Sequence, residues 1–302
     1  MRISSNQYQS VVMLAMQNSS SDMADLLQKM SSGKSMLAAS ENPIASVRLL
    51  RLQREEASLS QYRDNIGALK SQLSKNEALL DGISANLRDA RDILVAAANQ
   101  PPAEDLKAMA SPLASLRDSI LFAANTKDSE GRYMFSGSAN NNATIVADPS
   151  QPPGSRYRFN GNTDRQLVTV GEGVTQPSNV TLQPMADLLN QLDKIVSTLQ
   201  SPTLDSRDPA LGAAVRGVMD GVDSALSSVS GTISELGGAQ SVLQTLDANH
   251  DSLSLANQKS ILELGSLDYG TAYIEMNNLT MALKTSQQAY GKVSQLTLFD
   301  VI

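Results

Sequence analysis

Between residues 59 and 94 the apolar side chains fall at Leu59, Tyr62, Ile66, Leu69, Leu73, Leu80, Ile83, Leu87, Ala90 and Leu94, in steps of three and four broken only at Asn76. This is the heptad seam of a helix that packs along its whole length. Five heptads at about 1.5 Å per residue span roughly 50 Å. No proline lies between Pro43 and Asn99. Pro43 suits the first turn of such a helix, and Pro101-Pro102 closes its far end. So long a seam does not stay solvated, and it must pack against helices from elsewhere in the chain or from other chains. On the seam, Asn76 either sets register and partner at some cost in stability or lies partly exposed or water-bridged.

Helical spacing recurs from Asn6 to Ser31, where Met23, Leu26 or Leu27, and Met30 share a face. It returns from Ala103 to Asp128, with Pro112 inside, and from Met185 to Leu199. Two further helices are predicted over Asp208–Leu246 and Leu253–Val293. Between Ser136 and Pro184 the heptads vanish while Gly, Pro and Asn accumulate. In "RYRFNGNTDRQLVTVGEGV" (156–174), Tyr157 and Phe159 alternate with Arg156 and Arg158. Asn160-Gly161 then supplies a turn, and Leu167 to Val170 a second strand.

The expected fold is mainly α: a long coiled-coil helical rod built from both chain ends, with a small inserted β domain. The expected organisation has residues 1–42 and 266–302 as a terminal helical region, 43–135 and 185–265 as the rod, and 136–184 as the β-rich insertion.

Composition narrows the function. Trp is absent and Phe occurs four times in 302 residues, so the core is built from Leu, Ile, Val, Met and Ala. The net charge is −7 and no window is dominated by Lys or Arg, which argues against a nucleic-acid partner. The absence of Cys removes disulfides, zinc clusters and thiol nucleophiles together. No apolar run reaches the length of a membrane span or a signal-peptide core. The chain is therefore expected in the cytoplasm, or outside the cell by a dedicated export route that cleaves nothing.

Three motifs invite a chemical reading. Gly33-Lys34-Ser35 imitates the end of a P-loop, but Gln28 stands where the first glycine belongs, and a helical face rather than a strand precedes it. Gly33 instead reads as a left-handed cap ending the first helix. Glu41, Asn42 and Pro43 then place a negative group, a cap and a first-turn proline at the start of the next. Asp247 to Asp251 imitates the first ligands of an EF-hand, but Ser252 and Gln258 replace the glycine and the bidentate glutamate the loop needs. His250 is the only histidine and has no nucleophile signature beside it, so it reads as a helix-surface or seam residue. No catalytic, cofactor or metal residue is assigned, and no enzyme activity is expected.

Four stretches carry a resemblance. "MRIS" opens the chain, "KMSSGKSMLAASENPIAS" covers 29–46, "DSEGRYMFSGS" covers 128–138 and "AYGKVSQLTLFDVI" covers 289–302. Together they resemble the flagellin family and, within it, the junction proteins between hook and filament. Pro43 and the Leu298-Phe299-Asp300 ending are similar to the junction branch. Glu41-Asn42 stands in place of that family's usual acidic pair, and Ser35 where Arg is common. The resemblance implies a structural subunit of the bacterial flagellum that is exported unfolded and associates with itself in a ring. It implies as partners the preceding hook-associated junction protein, flagellin, the filament cap and an export chaperone. It also implies terminal helices that pair on assembly, with Leu26, Met30, Leu283, Tyr290, Leu296, Leu298 and Phe299 as apolar anchors between subunits. Heptad spacing leaves packing within one chain equally open for each of them.

Overall fold

The computed structural model describes the backbone of residues 2–299 and the side chains of residue 7 and residues 9–292. The chain divides into two compact units: residues up to Leu59 together with those from Asp251 onward, and Ser60–His250 between them. Among the described residues six helices and four short strands follow in the order α1 (Arg2–Ser32), α2 (Pro43–Ala98), α3 (Ala103–Ala124), β1 (Ile145–Ala147), β2 (Tyr157–Phe159), β3 (Leu167–Gly171), β4 (Val174–Pro177), α4 (Met185–Leu199), α5 (Pro209–Gly265) and α6 (Tyr269–Phe299). The protein is mainly α, with two small two-stranded antiparallel sheets.

In the central unit the seam of α2 is fully covered: Ile66, Leu69, Leu73, Leu80, Ile83, Leu87, Ala90 and Leu94 join one cluster with α3, α4, α5 and β-region side chains such as Phe135 and Val170. Polar partners along the flanks set direction. Arg63 pairs with Asp247, Glu77 accepts from Gln240 and Arg91 pairs with Asp223, so α5 partners descend as α2 numbers ascend and the two helices are antiparallel. Asn76 is buried, at 1% exposed, and neither end of its amide has a partner.

Three expectations are corrected here. Helix α3 stops at Ala124 instead of reaching Asp128, because Asn125 leaves the helix to hold strand β1. Its side chain both donates to the Ile145 carbonyl at 2.8 Å and accepts from the Ile145 amide at 3.0 Å. There is no break between residues 246 and 253: α5 runs unbroken to Gly265, and the chain turns at 266–268. Within that span His250 faces inward. A carbonyl only accepts, so Nε2 of His250 carries a proton and donates to the Val170 carbonyl at 2.8 Å.

The third correction is strand pairing. β2 does not turn at Asn160-Gly161 to pair with Leu167–Val170; it pairs with β1, while β3 pairs with β4 across Glu172-Gly173. Gly161 serves a close approach instead, since a Cβ there would lie 2.7 Å from the Ser136 backbone. Strand β1 has no signature in the sequence, because three residues carry no readable alternation. The β region is fastened to the helices by Asp193 of α4, 2% exposed, which accepts from Arg117 at 2.7 Å, from Arg156 at 3.4 Å and from the Gly154 amide at 3.1 Å.

Candidate functional site

The unit that holds both chain ends is built differently. Helix α1 turns a half-buried stripe inward at Val12, Met16, Met23, Leu26 and Met30, and α6 answers with Ala272, Met276, Leu279 and Leu283. Both stripes advance by three and four residues or their sum, so each helix shows the other one narrow face.

Below this pair two turns are stitched together. Gly33 has φ +69°, and its amide donates to the Lys29 carbonyl at 2.8 Å, closing α1. Lys34 bridges Ser266 in antiparallel fashion; the Ser35 amide donates to Gly265 and the Leu267 amide to Gly33, both at 2.9 Å. The Ser35 hydroxyl donates to the Leu264 carbonyl at 2.8 Å, and the Tyr269 hydroxyl to the Met30 carbonyl at 2.8 Å. The P-loop imitation thus uses its polar atoms to join the α1–α2 turn to the α5–α6 turn.

Each new helix is capped. Asn42 Oδ1 accepts from the Ala45 amide at 3.1 Å with Pro43 in the first turn of α2, and Asp268 accepts from the Gly270 amide at 2.9 Å at the start of α6. Glu41 departs from its expected place: its carboxylate serves the loop amides of Leu37 and Ala38, at 3.0 and 3.1 Å, rather than those of α2. Lys29, 2.6 Å away, holds the Glu41 carboxyl below the usual carboxylate range, and the loop amides add to that. Asp268 is likewise lowered, first by the Thr271 hydroxyl and then by the Gly270 amide.

The suspected anchors fall in different places. Leu26 is only 6% exposed and packs within its own unit; Met30 and Leu283 are half-buried; Tyr290 is 39% exposed. The side chains of Leu296, Leu298 and Phe299 lie outside the described residues. Besides Tyr290, apolar side chains turned outward include Val11, Met13, Leu14 and Leu27 on α1, and Tyr273, Ile274 and Met281 on α6. Reading the sequence for a single seam passed over them. The available signal was that each helix carries a second apolar set offset from the first.

No helix among the described residues is long and apolar enough to cross a membrane. No group of three metal-ligating side chains comes together among them. A mainly helical chain whose two ends form one unit with uncovered apolar faces belongs to the class of proteins that present interaction surfaces rather than a catalytic pocket. Comparison with known proteins gives that class a family. Residues 3–140 match the bacterial flagellin N-terminal helical region. The chain is 25% identical over 315 aligned positions to flagellar hook-associated protein 3 of Escherichia coli K12, covering all of this chain and 99% of the relative. It resembles the solved structure of a Vibrio parahaemolyticus protein described as flagellar hook-associated, with 32% identity and a TM-score of 0.66, covering 75% of this chain and all of that one. The flagellar junction protein FlgL of Legionella pneumophila shares the fold at 17% identity and a TM-score of 0.59, over 72% of this chain and all of its own. The chain belongs to the flagellar hook-associated protein family, a family of structural flagellar proteins.

Proposed function

We propose that this protein is the adapter that joins hook to filament, assembling with copies of itself into a short ring through residues 1–42 and 266–302. The observation that supports it most is the terminal unit itself, which leaves Met13, Leu14, Ile274 and Met281 more than half exposed on the helices that hold the chain ends. Apolar area of that kind is stabilised when a neighbour removes it from water, at roughly 25 cal/mol per Å2. Assembly in the flagellum supplies that neighbour.

In this role the protein carries out no reaction. Its partners are the preceding hook-associated junction protein below it, flagellin and the filament cap above it, and an export chaperone before it leaves the cell. It passes unfolded through the flagellar export channel, without a cleaved signal peptide, and works outside the cell. The absence of cysteine suits a chain that crosses from a reducing to an oxidising compartment.

Cosedimentation of the purified chain with isolated hooks, with and without the preceding junction protein bound, tests the proposal. Saturable binding in a small fixed ratio, with no polymer in the protein-only control, is expected. Long filaments in that control would make it a filament-forming flagellin. Neither binding nor polymer would leave a free coiled-coil module.

A further inference from the structure

Helix α2 opens with a face that the described residues of its own chain leave uncovered. At about 100° per residue, Ile44, Val47, Arg48, Arg51 and Arg54 fall within an arc of roughly 120°. Ile44 and Val47 are 85% and 67% exposed, and the three guanidinium groups, also exposed, have no carboxylate partner among the described residues. The face is therefore both cationic and apolar.

The same unit holds its complement. A groove of about 510 Å3 lies between α1 and α6. Leu26, Ala272 and Leu279 line it, and Asp22, Asp25 and Glu275 are exposed around it. Those three carboxylates also have no partner among the described residues, whereas Glu41 and Asp268 at the same groove are occupied by Lys29 and by the first amides of α6. The carboxylates do not converge into a metal-holding group. Three free carboxylates around an apolar lining match three free guanidinium groups around two exposed aliphatic side chains in charge, number and polarity.

We propose that the Ile44–Arg54 face of one copy seats in the α1–α6 groove of the next. Face and groove are different surfaces, so the contact is heterologous: each copy offers a face forward and a groove behind, and the contact propagates around a ring or helix. This rests on the self-association stated under Proposed function, and names the surfaces that carry it.

The cysteine-free chain makes the test direct. Asp25→Cys and Arg51→Cys are introduced together and singly into the full-length protein in the cells that make it. Flagella are purified, treated with a short bis-maleimide and blotted for the chain. A ladder of dimers and higher multiples from the double variant, absent from both single variants, is expected. In parallel, Asp25→Arg and Arg51→Glu alone should each lower flagellum-bound chain about tenfold, and the two together in one chain should restore it. Wild-type amounts in both single reversals, or bound double-cysteine chain without a ladder, would overturn the contact and leave the groove facing another flagellar component. Absence of the unaltered chain from purified flagella would instead overturn the adapter role, and the contact with it. Should the charge variants fail to fold, the ladder alone decides.

Discussion

Leu80 and Leu27 are the same residue on two heptad-patterned helices, yet Leu80 is fully buried and Leu27 is 50% exposed. The difference runs through the whole molecule. Apart from Leu26, Leu59 and Ala272, every buried apolar residue among those described belongs to the central unit. Most of the large exposed ones, including Val11, Met13, Leu14, Ile44, Val47, Tyr273, Ile274 and Met281, belong to the terminal unit. Apart from a few exposed side chains such as Phe122 and Leu167, the central unit has found its apolar neighbours within one chain. The terminal unit has helices of similar pattern but only a narrow mutual face, and much of the rest of its apolar surface stays exposed. Opening should therefore cost much less in the terminal unit than in the centre.

The sharpest contrast should appear in protection of the free chain. Residues of α1 up to Gly33 and of α6 from Asp268 onward should exchange amide hydrogens at least about a hundredfold faster than α2 between Ile66 and Leu94, and should be cut first by protease. Both should become protected in the assembled flagellum. Equal protection of the two segments in free and assembled protein would break the comparison.

Next come the substitutions that unfold the centre. Asp193→Ala leaves Arg117 and Arg156 without their buried carboxylate and should cost about 3 kcal/mol in urea unfolding. Leu80→Ala, which opens a cavity in the seam, should cost about 2–5 kcal/mol. Leu27→Ala in the terminal unit should stay within about 0.5 kcal/mol in the monomer. A Leu27→Ala variant as unstable as Leu80→Ala would mean the terminal helix is already packed before assembly.

A smaller effect of opposite sign is expected at Asn76. Its amide is buried without partners, so Asn76→Leu should raise central-unit stability by about 1–2 kcal/mol. A loss would show that the amide has a partner in solution.

The smallest effect is electrostatic and is read at the terminal turns. The carboxyls of Glu41 and Asp268 are lowered in the folded chain, so their contribution is present above the ordinary carboxylate pKa of about 4 and is lost as pH falls through their lowered values. As pH falls, the protection of the Leu37, Ala38 and Gly270 amides relative to their intrinsic exchange rate should drop, since those carboxylates accept from them, before the α2 seam between Ile66 and Leu94 opens. Simultaneous opening of both units would contradict it.

Much of this was legible in the sequence. The seam from Leu59 to Leu94, the bounds of α2 and α4, and the first-turn role of Pro43 follow from periodicity and from what proline can do. The end of α3 did not, because Asn125 is recruited by a strand twenty residues ahead. The run of α5 through 247–252 did not either. A segment rich in Asp, Asn and Ser reads as a break until His250 is seen donating to Val170 and Asp247 pairing with Arg63. Of the candidate site, the turn residues Gly33, Asn42 and Pro43 could be found from local backbone chemistry. Outward-facing Leu27, Ile274 and Met281 show in the sequence only as a second apolar set, since spacing names a face without naming what covers it.

The sequence by itself determined that this is a helical chain with a β insertion, that its ends carry a flagellin-type pattern, and where α2, α3 and α4 must begin, because apolar period, caps and prolines act over a few residues. Only the tertiary structure decided which strand pairs with which, that Asn76 is buried, that the turn at Gly33 is stitched to the turn at Ser266, and which apolar side chains remain for a neighbour. Those depend on groups far apart in the chain, and burial is a property of what arrives in space rather than of what stands next in sequence.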